Sequence, residues 1–180
     1  MTDLYGVAKK VFDENIAKIE LSYSLNKAVG QDYICKTSEQ TLSDGYGFCS
    51  EQVELADFIF KQQGIFVNKY QLFATPQDNE KLVKIDLAHF FIGIPNDRDW
   101  ILFETGFRVR NRGGVKRFTD EVTGLQYVLK LYEQSLVVAG ITGMNFNLYK
   151  YNFSAVNRKF SIFADQVLSM AKRVDIIKQK

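Results

Sequence analysis

The stretch GYGFCSEQVELADFIF, residues 45 to 60, decides how the rest of the sequence is interpreted. A glycine-rich turn precedes Cys49. From there Cys49, Val53, Ala56 and Phe60 follow the spacing i, i+4, i+7 and i+11, which is typical of one face of an amphipathic helix. The sequence therefore predicts a helix that begins at the cysteine. Cys49 is then either a small core residue or a nucleophile at a helix N-terminus.

The composition is that of a globular protein with a full core. The chain has 180 residues, of which 46% are hydrophobic and 14% aromatic, and a chain of this length buries roughly 68–70% of its unfolded surface. The net charge of +2 is too small to indicate a nucleic-acid partner. No apolar run approaches the roughly 20 residues of a membrane span, and the N-terminus has no signal-peptide core. We therefore expect a cytoplasmic protein without membrane association, whose two cysteines are free thiols.

Metal and cofactor chemistry is not expected. The chain has one histidine, His89, and its two cysteines, Cys35 and Cys49, lie fourteen residues apart without a CxxC motif. No P-loop and no GxGxxG after a strand is present. Nucleophilic chemistry must therefore depend on very few side chains.

Helical and strand patterns follow one another along the chain without a linker. Apolar spacing predicts an N-terminal helix of about four turns from Leu4, and residues 30–46 have the composition of a loop. The remaining predicted elements are strands at 65–74, 81–94 and 100–109, a partly helical segment at 118–136, a strand at 145–153 and an amphipathic helix at 160–171. This order predicts a single α+β domain spanning 1–180, with the Cys49 helix packed on an antiparallel sheet between N- and C-terminal helices.

The hairpin formed by the second and third predicted strands allows a count of paired positions. A four-residue loop of Pro95–Arg98 sets Ile94 opposite Asp99, so that paired positions sum to 193. Counting back places His89 opposite Glu104, with Cβ atoms roughly 4.5–5.5 Å apart. The only histidine of the chain is thereby predicted to face a carboxylate.

These three residues have the chemistry that a thiol nucleophile needs. A histidine takes the proton of the thiol. A carboxylate on the other ring nitrogen fixes the tautomer and stabilises the imidazolium. The helix N-terminus favours the thiolate, and its backbone N–H groups can donate to an oxyanion. The alternative is that Cys49 is a small buried side chain and His89 a structural histidine.

The blocks GYGFCSEQVELADFIFKQQGI (45–65), LAHFFIGI (87–94) and WILFETGF (100–107) together resemble the transglutaminase-like cysteine superfamily. The resemblance implies a papain-like core over about residues 44–107. It assigns Cys49 as nucleophile, His89 as base and Glu104 as the third member of a triad. The chain departs from the family pattern in having Glu where the acid is usually Asp, and Phe instead of Trp after the histidine.

The sequence is also similar to arylamine N-acetyltransferases, which share this core and order of residues. Their Cys-x-Glu start is matched by Cys49-Ser50-Glu51, and their acid-x-Gly-Phe block by residues 104–107. The chain lacks their Arg-Gly-Gly before the cysteine and is shorter. This resemblance implies acyl transfer from an acyl-CoA.

Further candidates surround the predicted triad. Gln40 and Tyr46 precede Cys49 and are candidates for an oxyanion donor. The basic segment after the acid strand carries Arg108, Arg110 and Arg112, which either bind an anionic substrate group or form a solvated loop. Cys35 is interpreted as a passive thiol.

The residues therefore predict thiol-dependent acyl transfer, or hydrolysis of an amide or ester, as in a transglutaminase, protease, deamidase or amidase. The substrate is expected to be a peptide, an amide or a thioester. A non-enzymatic binding module that retains the fold is the alternative from a different class.

Overall fold

The computed structural model describes residues 3–21, 33–77, 87–107 and 113–175. Within these ranges the helices are α1 (Leu4–Glu14), α2 (Ser38–Asp44), α3 (Cys49–Gln62), α4 (Glu121–Val138) and α5 (Phe160–Met170), with a 3₁₀ turn at Ile16–Lys18. The strands are β1 (Glu20–Leu21), β2 (Tyr46–Gly47), β3 (Asn68–Pro76), β4 (Ala88–Pro95), β5 (Trp100–Glu104), β6 (Gly114–Phe118), β7 (Met144–Tyr151) and β8 (Lys172–Val174). None of these helices is long and apolar enough to cross a membrane.

The strands of the described ranges form one large sheet and one small pair. Six strands lie in the order β6-β5-β4-β3-β7-β8, and every neighbouring pair is antiparallel. The strands β1 and β2 form a separate parallel pair of two residues each. The α+β class predicted from the sequence is confirmed at this level.

Helices cover both faces of the large sheet. Along β5 the side chains alternate, so that Ile101 and Phe103 join a cluster with α1, α3 and α5, whereas Trp100 and Leu102 join a second cluster with α4. Because both faces are buried, β4 and β5 are apolar at nearly every position instead of alternating between apolar and polar residues. The sheet is thus the middle layer of three.

The register predicted for the β4–β5 hairpin is wrong by two residues. Pro95 pairs with Trp100, so paired positions sum to 195 instead of 193. The loop is Asn96–Asp99, which is closed by the Asn96 N–H donating to the Asp99 carbonyl at 3.1 Å and by the Asn96 side chain donating to the Asp99 carboxylate at 2.7 Å. A shift of two preserves the face to which each side chain points, whereas a shift of one would reverse it. His89 and Glu104 therefore still share a face, as diagonal neighbours.

Part of the predicted loop at residues 30–46 is helical. The sequence Thr37-Ser38-Glu39-Gln40 forms a capping box at the start of α2: the Gln40 N–H donates to the Thr37 hydroxyl at 3.1 Å, and the Thr37 N–H donates to the Gln40 side-chain oxygen at 2.9 Å. This S/T-x-x-E/Q signature was present in the sequence. The loop interpretation was wrong because the polar composition of the segment hid the cap.

Other predicted elements differ mainly at their ends. The helix α1 has 11 residues, about three turns instead of four. The helix α4 includes Gly124. A glycine fits there because the Trp100 ring occupies the place where a Cβ atom would lie. The predicted strand at 100–109 ends at Glu104, where the carboxylate begins to accept hydrogen bonds from the following turn.

Candidate active site

Three elements meet at one end of the large sheet. The strand β4 begins at Ala88 and β5 ends at Glu104, and because the two are antiparallel these ends are adjacent. The helix α3 packs against β4 and begins at Cys49. As a result Cys49 lies close enough to His89 to help raise the pKa of the imidazole, and His89 Nε2 lies 2.7 Å from Glu104 Oε2.

Glu104 is completely buried and uses both of its carboxylate oxygens. Its Oε2 lies 2.7 Å from His89 Nε2. Its Oε1 accepts the backbone N–H of Gly106 at 2.6 Å and that of Phe107 at 3.4 Å. The extra methylene of glutamate, compared with the aspartate usual in the resembled family, suits this diagonal contact across two strands. The carboxylate is thus held in place from the side away from the histidine.

His89 is protonated over an unusually wide pH range. Its ring is only 5% exposed and packs against the rings of Phe107, Tyr132 and Phe91, with centroids at 4.5, 5.7 and 6.0 Å. Burial by itself lowers the pKa of His89, but the charge of Glu104 and the hydrogen bonds with Cys49 and Glu104 raise it, and together they bring the pKa to about 10. Because Glu104 binds Nε2, Nδ1 is the nitrogen left to exchange a proton with the thiol.

Glu51 holds the start of the Cys49 helix. Its Oε2 accepts the N–H of Phe48, the N-cap residue, at 2.9 Å. Its Oε1 accepts the N–H of Lys36 at 2.8 Å and the hydroxyl of Tyr33. Glu51 is fully buried, so this carboxylate joins α3 to the segment before α2. In the sequence Glu51 stood out only as part of the Cys49-Ser50-Glu51 block. A glutamate at the third helical position is half of a capping box, which was the signal for a closer role.

Cys49 is the first residue of α3 and is 3% exposed. A residue at this position has no intrahelical acceptor for its N–H, and the partial positive charge of the helix end is directed at its side chain. Cys35, by contrast, lies outside any helix. Burial and the charges of Glu51 and Glu54 raise the pKa of the Cys35 thiol well above its usual range. Cys35 therefore provides an unreactive reference thiol within the same molecule.

The weaker candidates from the sequence lie elsewhere or outside the described residues. Gln40 is exposed and its side-chain oxygen is used in the α2 capping box. The Tyr46 ring lies under Lys36 Nζ, 3.7 Å from the ring centroid, and the Tyr46 carbonyl accepts from the same Nζ at 2.7 Å. An oxyanion role for either stays a prediction. Arg108, Arg110 and Arg112 lie outside the described residues.

Gly106 leaves the space that the His89 ring occupies. A Cβ atom at position 106 would lie 2.7 Å from His89 Cε1 and 3.2 Å from Nδ1. The Gly106→Ala variant is therefore expected to displace the imidazole, because the surrounding aromatic rings leave it little room to move. Since a misplacement of about 1 Å at a reacting group costs up to about 100-fold in rate, we expect the alkylation rate of Cys49 to fall at least tenfold, measured with iodoacetamide at neutral pH.

Gly124→Ala is the matched control for Gly106→Ala. It also introduces a methyl group against a buried ring, that of Trp100, but away from the three site residues. Overpacking of this kind typically destabilises a protein by about 1–3 kcal/mol. If Gly124→Ala slowed alkylation of Cys49 as much as Gly106→Ala, the effect would reflect general destabilisation and not displacement of His89.

Comparison with known proteins assigns no family to the chain. No protein-family model matches it, and no curated protein matches it at a significant level. Function must therefore be inferred from the chemistry of the site.

Proposed function

We propose that this protein is a thiol enzyme with a papain-like core of the transglutaminase kind, which cleaves or transfers an acyl group through a covalent intermediate on Cys49. The observation that supports this most directly is the buried chain of contacts from Glu104 through His89 to Cys49. A histidine that keeps its proton up to about pH 10 stabilises a neighbouring thiolate. The proposal includes a cytoplasmic location and a peptide, amide or thioester substrate.

The order of the elements supports the proposed core. The nucleophile begins a helix, the base lies on the next strand but one along the chain, and the acid ends the strand paired with it. The helix packs on the strand that carries the base. Nucleophile, base and orienting acid thus come from three separate elements that only the fold brings together, as in convergent catalytic triads.

The proposed reaction has two halves, acylation and deacylation of Cys49, and the same three residues act in both. The Cys49 thiolate attacks the carbonyl carbon, and the bond to the leaving amine, alkoxide or thiolate breaks while His89 gives that group its proton. The product is a thioester of Cys49. Water or an amine then attacks this thioester, His89 accepts the proton at Nδ1, and the Cys49 thiolate leaves. Glu104 keeps its hydrogen bond with Nε2 and stabilises the imidazolium.

Two other functions are supported by particular observations. Transfer from an acyl-CoA, as in arylamine N-acetyltransferases, is favoured by the buried role of Glu51 within Cys49-Ser50-Glu51. A binding module without catalysis is favoured by the low exposure of Cys49 and His89, which are 3% and 5% exposed. Release of CoA from acetyl-CoA in the presence of an arylamine tests the first alternative.

The test of the proposed function is alkylation by iodoacetamide across a pH series, with the two cysteines resolved by peptide mass spectrometry. We expect Cys49 to be alkylated rapidly even below about pH 7, where an ordinary thiol with a pKa near 8.5 is almost wholly protonated. Cys35 should stay unreactive because of its raised pKa. The His89→Ala variant should lose the reactivity of Cys49 at low pH, because no imidazolium is left beside the thiol.

Equal alkylation of Cys49 and Cys35 at every pH would contradict the proposal and favour the binding module. The decisive positive result is a mass increase on Cys49 alone after incubation with a simple thioester. Such an increase is expected to disappear in Cys49→Ala, which keeps a small apolar side chain at the start of the helix.

A further inference from the structure

An open pocket lies at the end of the large sheet opposite to His89. Its volume is about 310 Å³, near the lower limit of small-molecule sites, which measure about 300–1,000 Å³. Asn68 lines this pocket and pairs with Gly93 near the end of β4, whereas His89 lies near the start of that strand. The pocket is therefore separate from the candidate active site.

The lining of this pocket includes two large apolar side chains that are mostly in contact with water. Phe66, which precedes β3, is 69% exposed, and Met170, the last residue of α5, is 70% exposed. Three half-buried apolar residues also line the pocket: Val67, Phe153 and Ala171. A hydrocarbon chain in the pocket would remove this surface from water, which is favourable in proportion to the apolar area covered.

Two lysines of the pocket lining are directly opposite one another in the sheet. Lys150 on β7 pairs with Lys172 on β8, which is the edge strand. The side chains of directly paired residues point to the same face, with Cβ atoms about 4.5–5.5 Å apart, and like charges at such positions are destabilising. An anion bound at the two ammonium groups would compensate this repulsion.

One carboxylate compensates only part of this charge. Lys150 Nζ lies 3.4 Å from Glu121 Oε1, which also accepts the Tyr70 hydroxyl at 2.6 Å. Within the described ranges Lys172 forms no ion pair, and no aspartate or glutamate of those ranges lines the pocket. Two lysines and one glutamate leave a single net positive charge. This charge complements a carboxylate better than a phosphate monoester, which carries about 1.5 to 2 negative charges.

We propose that this pocket binds a medium-chain fatty acid, whose carboxylate pairs with Lys150 and Lys172. The hydrocarbon chain covers the exposed side chains of Phe66 and Met170. The volume of the pocket favours a medium chain, because the last carbons of a long chain would stay in water. The inference is independent of the proposed thiol chemistry, since the binding is non-covalent and no residue of the candidate active site lines the pocket.

The test is an NMR titration of the full chain with hexanoate, octanoate and 1-octanol at low ionic strength. Octanoate is expected to bind at least about fivefold more tightly than hexanoate, because each buried methylene group contributes up to about fourfold in affinity. It should also bind at least about threefold more tightly than the uncharged 1-octanol, an advantage that decreases as salt screens the lysines. Equal affinities for octanoate and 1-octanol would overturn the proposal.

Lys172→Gln is expected to remove the advantage of octanoate over 1-octanol, because Glu121 then balances the remaining lysine. The affinity for 1-octanol should stay within about twofold of the wild-type value. Lys130→Gln is the matched control, since Lys130 is an exposed cation on α4 that does not line the pocket. A lysine on an edge strand also hinders pairing between molecules. If Lys172→Gln lowers solubility but leaves the affinity for octanoate unchanged, Lys172 only protects the edge and the proposal fails.

Met170→Ser tests the apolar part of the pocket. It should weaken the binding of octanoate and of 1-octanol to the same extent, at least about threefold, because the buried apolar area decreases for both ligands. Ile162→Ser is the matched control, since Ile162 is also on α5, is 58% exposed and does not line the pocket. Substitutions at such exposed positions have little effect on stability. Equal losses of affinity in the two variants would contradict binding at this pocket.

Two further ligands test the charge of the head group. Octylammonium should bind more weakly than 1-octanol, because its charge has the same sign as that of the two lysines. If monooctyl phosphate bound more than about tenfold more tightly than octanoate, the site would be one for a dianion and the carboxylate assignment would be wrong. Cys49→Ala should bind octanoate as the wild-type protein does, so that failure of the thiol mechanism and failure of this proposal are seen separately.

Discussion

Replacing Glu104 by glutamine is expected to lower the rate of acyl-Cys49 formation by about 10⁴-fold, the loss known when the acid of a Ser-His-Asp triad becomes an amide. The glutamine side chain has nearly the same shape, and its oxygen can still accept the N–H of Gly106. Its amide, however, would donate to His89 Nε2 and leave the proton on Nδ1. The nitrogen that faces the thiol would then be unable to accept a proton. Single-turnover acylation by a thioester measures the loss.

The same variant is expected to reverse the pH dependence of stability. In the wild-type protein the pKa of His89 is raised to about 10 when folded, against about 6.5 when unfolded. The resulting stabilisation is complete below about pH 6.5 and disappears as the pH rises through about 10. Without the Glu104 charge, burial dominates and lowers the pKa of His89. The Glu104→Gln variant should therefore lose stability as the pH falls through about 6.5.

Urea unfolding of the wild-type protein and of Glu104→Gln between about pH 5 and pH 10 measures this difference. The change of the unfolding midpoint with pH gives the pH dependence of stability for each protein. His89→Gln serves as the control, because it removes the titrating group and should flatten the pH dependence over this range. If Glu104→Gln formed acyl-Cys49 at the wild-type rate, or if the stability of both proteins depended on pH in the same way, Glu104 would neither orient His89 nor raise its pKa.

Replacing Lys69 by methionine is expected to destabilise the protein by about 3–5 kcal/mol, the usual cost of removing one partner of a buried ion pair. Lys69 Nζ lies 3.0 and 3.2 Å from the two Glu54 oxygens and 3.2 Å from Asp57 Oδ2. All three residues are at most 5% exposed. Methionine fills a similar volume but leaves two buried carboxylates without their shared cation. Equilibrium unfolding in urea measures the change.

Lys61→Met is the matched control for this experiment. Lys61 Nζ lies 2.8 Å from the same Asp57 oxygen, but its side chain is 67% exposed. Because solvent screens an exposed pair, its loss should cost no more than about 1 kcal/mol. Similar losses for the two variants would mean that burial does not determine the strength of the Lys69 network.

These buried carboxylates have a consequence for the proposed site. Glu54 also accepts the Ser154 hydroxyl at 2.9 Å and the Ala155 N–H at 3.1 Å. With Glu51 holding the first turn, α3 is tied by polar contacts both to the segment before it and to the loop before α5. The Lys69→Met variant should therefore also loosen the contacts between α3 and the loop before α5.

The sequence by itself determined the features that depend on local spacing. The 3.6-residue period placed the start of α3 at Cys49 and predicted the side of the helix that is buried. The two-residue period of strands put His89 and Glu104 on one face, so their contact survived an error of two residues in the register. Physically, both periods come from backbone geometry, which neighbouring residues are sufficient to establish.

Only the tertiary structure decided the features that depend on residues far apart in the chain. The hydrogen bonds between Asn96 and Asp99 decided the register, and the packing of α4 on the second sheet face supplied the Tyr132 ring beside His89. The role of Glu51 depends on the partners that this buried carboxylate meets. The raised pKa of His89 is likewise a balance between burial and two partners, Glu104 and Cys49. Such balances are set by the three-dimensional surroundings of a charge, which spacing along the chain does not contain.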